Sequence, residues 1–339
     1  MQTAKYFLIL NITPDSFSDG TDRIAEGDFR NSKWLLEKAE NLIEAGADVL
    51  DIGAESTRPG AETVSTEEEI KRLEEFLKVF CAKSDFPLSI DTRKAEVMKV
   101  ILSEPLFYKN IAYINDVEGF SNSEISIETN EMSFGAQEIA FGGDEKLKVI
   151  KEIDVDNKLK LICMHSSVGV PPKLKTAEIA DNFYTQKKHL RSGKFFNYGK
   201  SHDENLSEEE LEAFYENICE FYEDLLLRAA KQGIASNRII FDPGLGFGKN
   251  LKHSYALIKL IPKFIQKFRS QVFVGASRKS FLREIIDSQS IGKVLNYQNQ
   301  LEALDLLTEK YNQLAYQAGA NLFRVHVHPS QIKEYNIHR

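Results

Sequence analysis

The sequence predicts an α/β protein closed into a single (β/α)8 barrel, and three observations predict it. Eight short apolar runs recur along the chain, most are separated by segments of helical periodicity, and 339 residues suit one large α/β domain. Wholly apolar strands need cover on both faces, as the strands of parallel sheets have. A doubly wound open sheet shares these traits, but eight units at single-domain length favour closure. Residues 1–339 are therefore read as one domain.

The first strand is Tyr6–Leu10, which stops at Asn11 and enters a loop of small polar residues around Pro14 and Gly20. That loop also carries Phe17, an apolar residue a mere linker does not need. Leu35, Ala39, Leu42 and Ile43 stripe a helix over Ser32–Ala45, and Gly46 stops it. Ala47–Gly53 is the second strand, Ser56–Gly60 a loop, and Thr66 with Glu69 forms a capping box for a helix to about Lys83. Pro87–Thr92 is the third strand, followed by a helix over Lys94–Leu102. Asn110–Asp116, Leu159–His165 and Asn237–Pro243 are the fourth, fifth and sixth strands. Before the sixth, Phe214, Ile218, Phe221, Leu225 and Ala229 recur at helical spacing, with Ser207 and Glu210 capping the start and Gly233 after the end. Gln271–Ser277 is the seventh strand, and Asn321–His326 the eighth, after a helix over Leu301–Ala318. Two stretches exceed ordinary connection lengths: 117–158, and 167–206 with Lys187, Lys188, Arg191, Phe195, Phe196 and Tyr198.

Composition narrows the function classes. A hydrophobic fraction of 42% with 28% charged residues is that of a globular protein with an ample core. A net charge of −8 argues against a nucleic-acid binder, so an anionic ligand needs a local cluster of Arg, Lys or backbone N–H groups. Cys81, Cys163 and Cys219 lie far apart without CxxC spacing, which fits a reduced compartment and offers no zinc motif. No apolar run approaches the ~20 residues of a membrane span, and no cleavage pattern follows the N-terminus. A soluble, cytoplasmic protein is expected.

In barrels of this kind chemistry is built at the C-terminal ends of the strands. Those ends carry Asn11, Asp51, Asp91, Asn115, His165, Asp242, Ser277 with Lys279, and Arg324 with His326. Asp and Asn terminate strands well one at a time; a polar group at all eight points to one shared site. Arg58, Lys279, Arg324 and His326 suit a phosphate or diphosphate. Asp91, Asn115 and Asp242 suit the N–H edge of a flat heterocycle, since a carboxylate accepts two parallel bonds. Gly244–Gly248 lacks P-loop spacing and reads as a turn admitting close approach of backbone or ligand.

Together these residues resemble the dihydropteroate synthases. The matching runs are Leu10–Gly20, Gly46–Gly60, Ser89–Thr92, Ile114–Asp116, Phe241–Lys249, Gly275–Lys279 and Arg324–His326, in the family's order and spanning almost the whole chain. The resemblance implies a (β/α)8 fold and the joining of 6-hydroxymethyl-7,8-dihydropterin diphosphate to p-aminobenzoate with Mg²⁺. It also implies a sulfonamide target and, commonly, a homodimer. Asn11 then resembles the Mg²⁺ ligand. Asp91, Asn115 and Asp242 resemble the pterin readers, with Lys279 at the ring carbonyl side, and Arg324 and His326 the diphosphate holders. Thr57, Arg58, Pro59, Ser277 and Phe247 resemble the p-aminobenzoate pocket. Phe17 would shield a cationic pterin from water, and Asp51 matches a family carboxylate near the loops.

The chain departs from the family at Met164–Gly169, where Ser166 replaces a methionine that packs on the pterin, and at Ala54, where a second glycine is common. The insertions 117–158 and 167–206 are also longer than usual; the second follows a strand end and is expected on the catalytic face. Two rival functions share the fold: a non-catalytic pterin-binding paralogue, and a methyltetrahydrofolate methyltransferase-type barrel. The second would not need the Ser56–Pro59 and Ser277–Lys279 runs together.

Overall fold

The computed structural model describes residues 3–13, 32–55, 63–120, 144–166, 206–288 and 297–332. Eight parallel strands form one sheet: β1 (Lys5–Asn11), β2 (Val49–Gly53), β3 (Leu88–Asp91), β4 (Ile111–Asp116), β5 (Lys160–Met164), β6 (Ile239–Asp242), β7 (Phe273–Val274) and β8 (Leu322–Val325). Their order is β6-β5-β4-β3-β2-β1-β8-β7. A parallel bridge between Phe241 and Val272 joins the two ends, reinforced by the Phe241 N–H donating to the Gln271 carbonyl at 3.1 Å. The predicted barrel is the fold.

Side-chain alternation divides each strand between two cores. Leu8, Leu10, Leu50, Ile52, Ile90, Leu161 and Cys163 face outward into the layer between strands and helices. Phe7, Val49, Ile162, Ile240, Phe273 and Leu322 face inward and, with Tyr113, plug the bore. Phe7 sets its ring edge against Phe273 and Tyr113, with centroids 5.0 and 4.8 Å away. Two residues further along the inward faces stand Asp51, Asn115, Asp242, Gly275 and Arg324, with Ile9 and Met164 the apolar exceptions. The plug is therefore a floor, and the polar strand ends lie above it.

Helices cover the outside: α1 (Ser32–Glu44), α2 (Thr66–Phe80), α3 (Ala95–Ser103), α4 (Pro105–Tyr108), α5 (Glu145–Ile153), α6 (Glu208–Lys231), α7 (Leu251–Phe268), α8 (Ser280–Ser288) and α9 (Tyr297–Gln317). The box at Ser207 forms as predicted, its hydroxyl accepting from Glu210 N–H at 3.2 Å and the Glu210 carboxylate from Ser207 N–H at 2.9 Å. The cap of α2 is Ser65 rather than Thr66, accepting from Glu68 N–H at 3.2 Å. Glu69 is drawn inward instead, taking the Thr92 hydroxyl at 2.6 Å and pairing with Lys94 at 2.7 Å. Helix α7 is absent from the sequence reading: Pro262 lies inside it, although its apolar residues make one continuous buried face. No described helix is long and apolar enough to cross a membrane.

Candidate active site

The strand register builds the site. Asn11 lies beside Gly53, Gly53 beside Asp91, and Asp91 beside Asn115, so three polar residues ring the top of the bore. Asp242 continues the ring from β6, beside Met164. Below this ring, Arg324 rises from β8 and joins two strands: Nε donates to Asp51 Oδ2 at 2.5 Å, and a terminal nitrogen donates to Asp91 Oδ2 at 2.6 Å. Asp51 lies inside β2, two residues short of its end, and is fully buried. Its Oδ1 has no hydrogen-bond partner among the described residues. Burial disfavours the Arg324 charge, but Asp51 and Asp91 outweigh it and keep the guanidinium protonated. Burial pushes Asp91 above the ordinary carboxylate range; Arg324 opposes this, and Asp51 adds to it.

Asp242 is held from three sides. Its Oδ1 accepts the Gly244 N–H at 2.7 Å, and its carbonyl accepts the Tyr222 hydroxyl at 2.6 Å and the His165 N–H at 2.8 Å. Burial raises its carboxyl, with Lys279 the largest opposing influence. The Lys279 ammonium donates to the Leu245 carbonyl at 2.7 Å and stands 4.2 Å from the centre of the Phe247 ring. Burial brings it down to about 8, against the pull of Asp242. The glycine run between them is a turn, as predicted. Gly244 has φ +69°, and a Cβ there would come within 2.0 Å of the His165 carbonyl oxygen.

Ser277 and Lys279 flank Arg278, whose φ of +55° is uncommon for a side chain of this size. That conformation is held from α9, where Asp305 takes the Arg278 guanidinium through two bonds of 2.8 Å. Ser277 Oγ and His326 Nδ1 are 2.9 Å apart, and His326 N–H donates to the same oxygen at 3.2 Å. The ends of β7 and β8 are thus tied together.

A second charged chain runs around the rim. Arg93 bonds Glu55 at 3.0 Å and Glu118 at 3.3 Å, and Lys146 pairs with Glu118 at 3.0 Å and Asp116 at 2.9 Å. Burial works against the Glu55 charge, but Arg93 and Lys94 outweigh it and lower its carboxyl. This chain links the loops after β2, β3 and β4, next to Asp91 and Asn115.

Mg²⁺ can be tested against the donor set. A Cβ on Gly53 would stand 3.5 Å from both Asn11 Oδ1 and Asp91 Oδ2, so the bare glycine leaves room beside two hard oxygens, the second of which also accepts from Arg324. Among the described residues no group of three His, Cys, Asp or Glu is placed to hold a metal. Such a sparse oxygen set fits Mg²⁺, which keeps waters and relies on substrate phosphates, and does not fit zinc.

Asn11, Asp51, Asp91, Asn115, Asp242, Phe247, Ser277, Lys279, Arg324 and His326 all belong to the C-terminal half of the barrel. Ser166 follows β5, nine-tenths buried, beside His165. Phe17, Thr57, Arg58, Pro59 and most of both insertions lie outside the described residues. The residues sequence reading missed are supports: Tyr222, Arg93, Glu55, Glu118, Lys146 and Asp305. Lys249 is visible only as the last letter of a matching run, and Tyr222 lies next to Phe221 of the stripe that marks α6.

Comparison with known proteins agrees. The family model for pterin binding enzymes matches residues 7–326. A type-3 dihydropteroate synthase of Escherichia coli is 29% identical over 327 residues, 95% of this chain and 94% of that protein. A dihydropteroate synthase of Neisseria meningitidis serogroup B is 33% identical over 283 residues, covering 82% of this chain and 75% of that one. The dihydropteroate synthase of Yersinia pestis, solved with a sulfonamide drug complex, superposes with a TM-score of 0.64 at 25% identity. That match covers 96% of this chain and 89% of the other. With this fold and this ring of polar strand ends, the chain belongs to the pterin-binding enzymes, in the dihydropteroate synthase family.

Proposed function

We propose that the chain joins 6-hydroxymethyl-7,8-dihydropterin diphosphate to p-aminobenzoate, giving 7,8-dihydropteroate and diphosphate. The observation that carries this reading is the convergence of buried Asn115 and Asp242 and partly buried Asp91 with the Lys279 ammonium and the Arg324 guanidinium at one end of the bore. Asp91, Asn115 and Asp242 take the N–H edge of the pterin, and Lys279 donates toward its ring carbonyl. Arg324 and His326 hold the diphosphate. Thr57, Arg58, Pro59, Ser277 and Phe247 surround p-aminobenzoate, with Phe17 and Ser166 at the edges of the site.

The chemistry needs little from a base. The bond between the pterin methylene carbon and the diphosphate oxygen breaks, its electron pair leaving with the diphosphate. The amine lone pair then forms the new C–N bond, and the surplus amine proton passes to the departing diphosphate or to water. Arg324 and His326 offset charge gathering on the leaving group, and Asp91 and Asp242 offset the positive ring. Asn11 would hold Mg²⁺, which when bound supplies further positive charge at the diphosphate. Positioning and electrostatics together supply the ~8–23 kcal/mol typical of enzymes. The protein works in the cytoplasm as a homodimer, with the whole chain as one domain.

The deciding assay is diphosphate release from the pterin substrate, dependent on both p-aminobenzoate and Mg²⁺. Tight pterin binding without turnover would point to the non-catalytic paralogue. Asp242→Asn should weaken pterin binding about 10- to 100-fold, since an amide cannot accept both N–H bonds; near-normal activity would refute the assignment.

A further inference from the structure

Lys249 follows the glycine run and is only 4% exposed. Its ammonium donates to the carbonyls of His165 at 3.0 Å, Gly244 at 3.0 Å and Phe247 at 3.3 Å. Those oxygens come from the end of β5 and from both sides of the turn after β6. Three carbonyl dipoles aimed at one point repel one another, and an ammonium has the three donors and the charge that such a point needs. Each is one step from a group of the site. His165 N–H holds the Asp242 carbonyl, Gly244 N–H holds the Asp242 carboxylate, and the Phe247 ring faces Lys279.

We propose that Lys249 is a positioning residue for the heterocycle end of the site, gathering three carbonyls so that the Asp242 carboxylate and the Phe247 ring are set before the ring arrives. The role rests on the pterin pocket described above. Lys249 touches no substrate; it acts through the peptide groups of His165, Gly244 and Phe247. Close packing makes it necessary: with Gly244 pressed against the His165 carbonyl, two backbones approach with no side chain between them. A cation is what lets those oxygens stay together in a water-poor place.

Lys249 also acts on Asp242 through its charge. The charged and titratable groups facing Asp242 are Lys279 after β7, Lys249 after β6, Arg324 in β8 and the Tyr222 hydroxyl of α6. Lys279, Lys249 and Arg324 all lower its carboxyl, against burial. Removing one raises it further, so the acid limb of the pH profile should move to higher pH.

The test uses the full-length protein with Mg²⁺ and both substrates, and compares Lys249→Met, Lys249→Gln and Asp242→Asn. Lys249→Met should raise KM for the pterin diphosphate about 10- to 100-fold, the scale of a misplaced group, with a much smaller change in KM for p-aminobenzoate. Its acid limb in kcat/KM should shift upward. Lys249→Gln keeps two donors without the charge, so it should regain part of the pterin affinity but not the wild-type acid limb. If Lys249→Met does not fold, the pterin KM and the acid limb of Lys249→Gln against wild type decide. Wild-type pterin KM and acid limb in the Lys249 variants, with pterin binding lost in Asp242→Asn, would overturn the proposal. Unchanged pterin binding in Asp242→Asn would overturn the pocket reading itself.

Discussion

Two arginine–aspartate clusters sit at opposite ends of this barrel, and they are finished to different degrees. At the N-terminal end Arg238 pairs with Asp154, both almost fully buried. Every acceptor position of that carboxylate is used: Oδ1 takes the Tyr108 hydroxyl at 2.5 Å and Lys158 N–H at 3.0 Å, and Oδ2 takes Leu159 N–H at 3.1 Å and Arg238. Arg238 further donates to the Leu159 carbonyl and Asn157 Oδ1, each at 3.0 Å. At the C-terminal end Arg324 divides itself between Asp51 and Asp91, and Asp51 Oδ1 stays unsatisfied among the described residues. A saturated cluster holds strand ends together. A cluster with spare donors and an underused carboxylate is poised to take a ligand, at a cost in stability.

The comparison can be broken most directly at Arg238. Arg238→Met leaves Asp154 buried without its cation and should destabilise the fold by about 3–5 kcal/mol. Urea unfolding would read that loss, and both Michaelis constants of the folded enzyme should stay unchanged. A change in either would mean that the lower cluster also tunes the site.

Arg324→Lys is the next largest. An ammonium cannot reach both carboxylates as the guanidinium fork does, and it presents a different charge to the leaving diphosphate. A loss of about 10²–10³ in kcat is expected, the scale of one electrostatic stabiliser. Unfolding should move less than in Arg238→Met. Equal losses of stability in the two variants would erase the distinction between the ends.

The pH profile sharpens it further. Burial holds Lys279 at about 8, so it loses its proton as the pH rises through that value. If the ammonium serves the pterin carbonyl, kcat/KM should fall above about pH 8. Asp91 and Asp242 are pushed upward, so protonation should cost activity at a pH above the usual carboxylate range. Lys279→Arg should remove the alkaline limb and leave the acid limb in place.

Much of this is legible in the sequence. Parallel strands are apolar runs that end where the bore opens, so Asn11, Asp91, Asn115 and Asp242 announced themselves as the polar residues closing each run. Depth was harder to read. Asp51 looks like one more strand terminus, and only its register beside Ile9 and Ser89 places it below Gly53, where it supports Arg324. The cap of α2 slipped by one residue because Ser65-Thr66-Glu67-Glu68-Glu69 satisfies the same motif in two registers. The tertiary pull of Thr92 and Lys94 on Glu69 chose between them. Lys249 reaches the His165 carbonyl and Tyr222 the Asp242 carbonyl, partners distant in sequence that no local pattern records.

The smallest expected effect falls on Asp51, and it tests what the unfinished cluster is for. Asp51→Asn keeps the shape, removes one charge from the pair that Asp51 and Asp91 present to Arg324, and offers Oδ1 or an amide at the orphaned position. Two opposing terms act on stability. The Arg324 pair weakens, while the cost of a fully buried, half-satisfied carboxylate disappears. Their near cancellation should leave the unfolding free energy within about 1 kcal/mol of wild type. Activity is not expected to cancel in the same way. With Asp51 neutral, Arg324 leans on Asp91 alone, which draws that carboxyl down and shifts the acid limb of kcat/KM to lower pH. Asp91 would then be less available to the pterin edge, raising that KM by a few-fold, about 1 kcal/mol on the scale of one hydrogen bond. A stability loss as large as that of Arg238→Met, with no movement of the acid limb, would show that Asp51 is a strut like Asp154 and that the two clusters are alike after all.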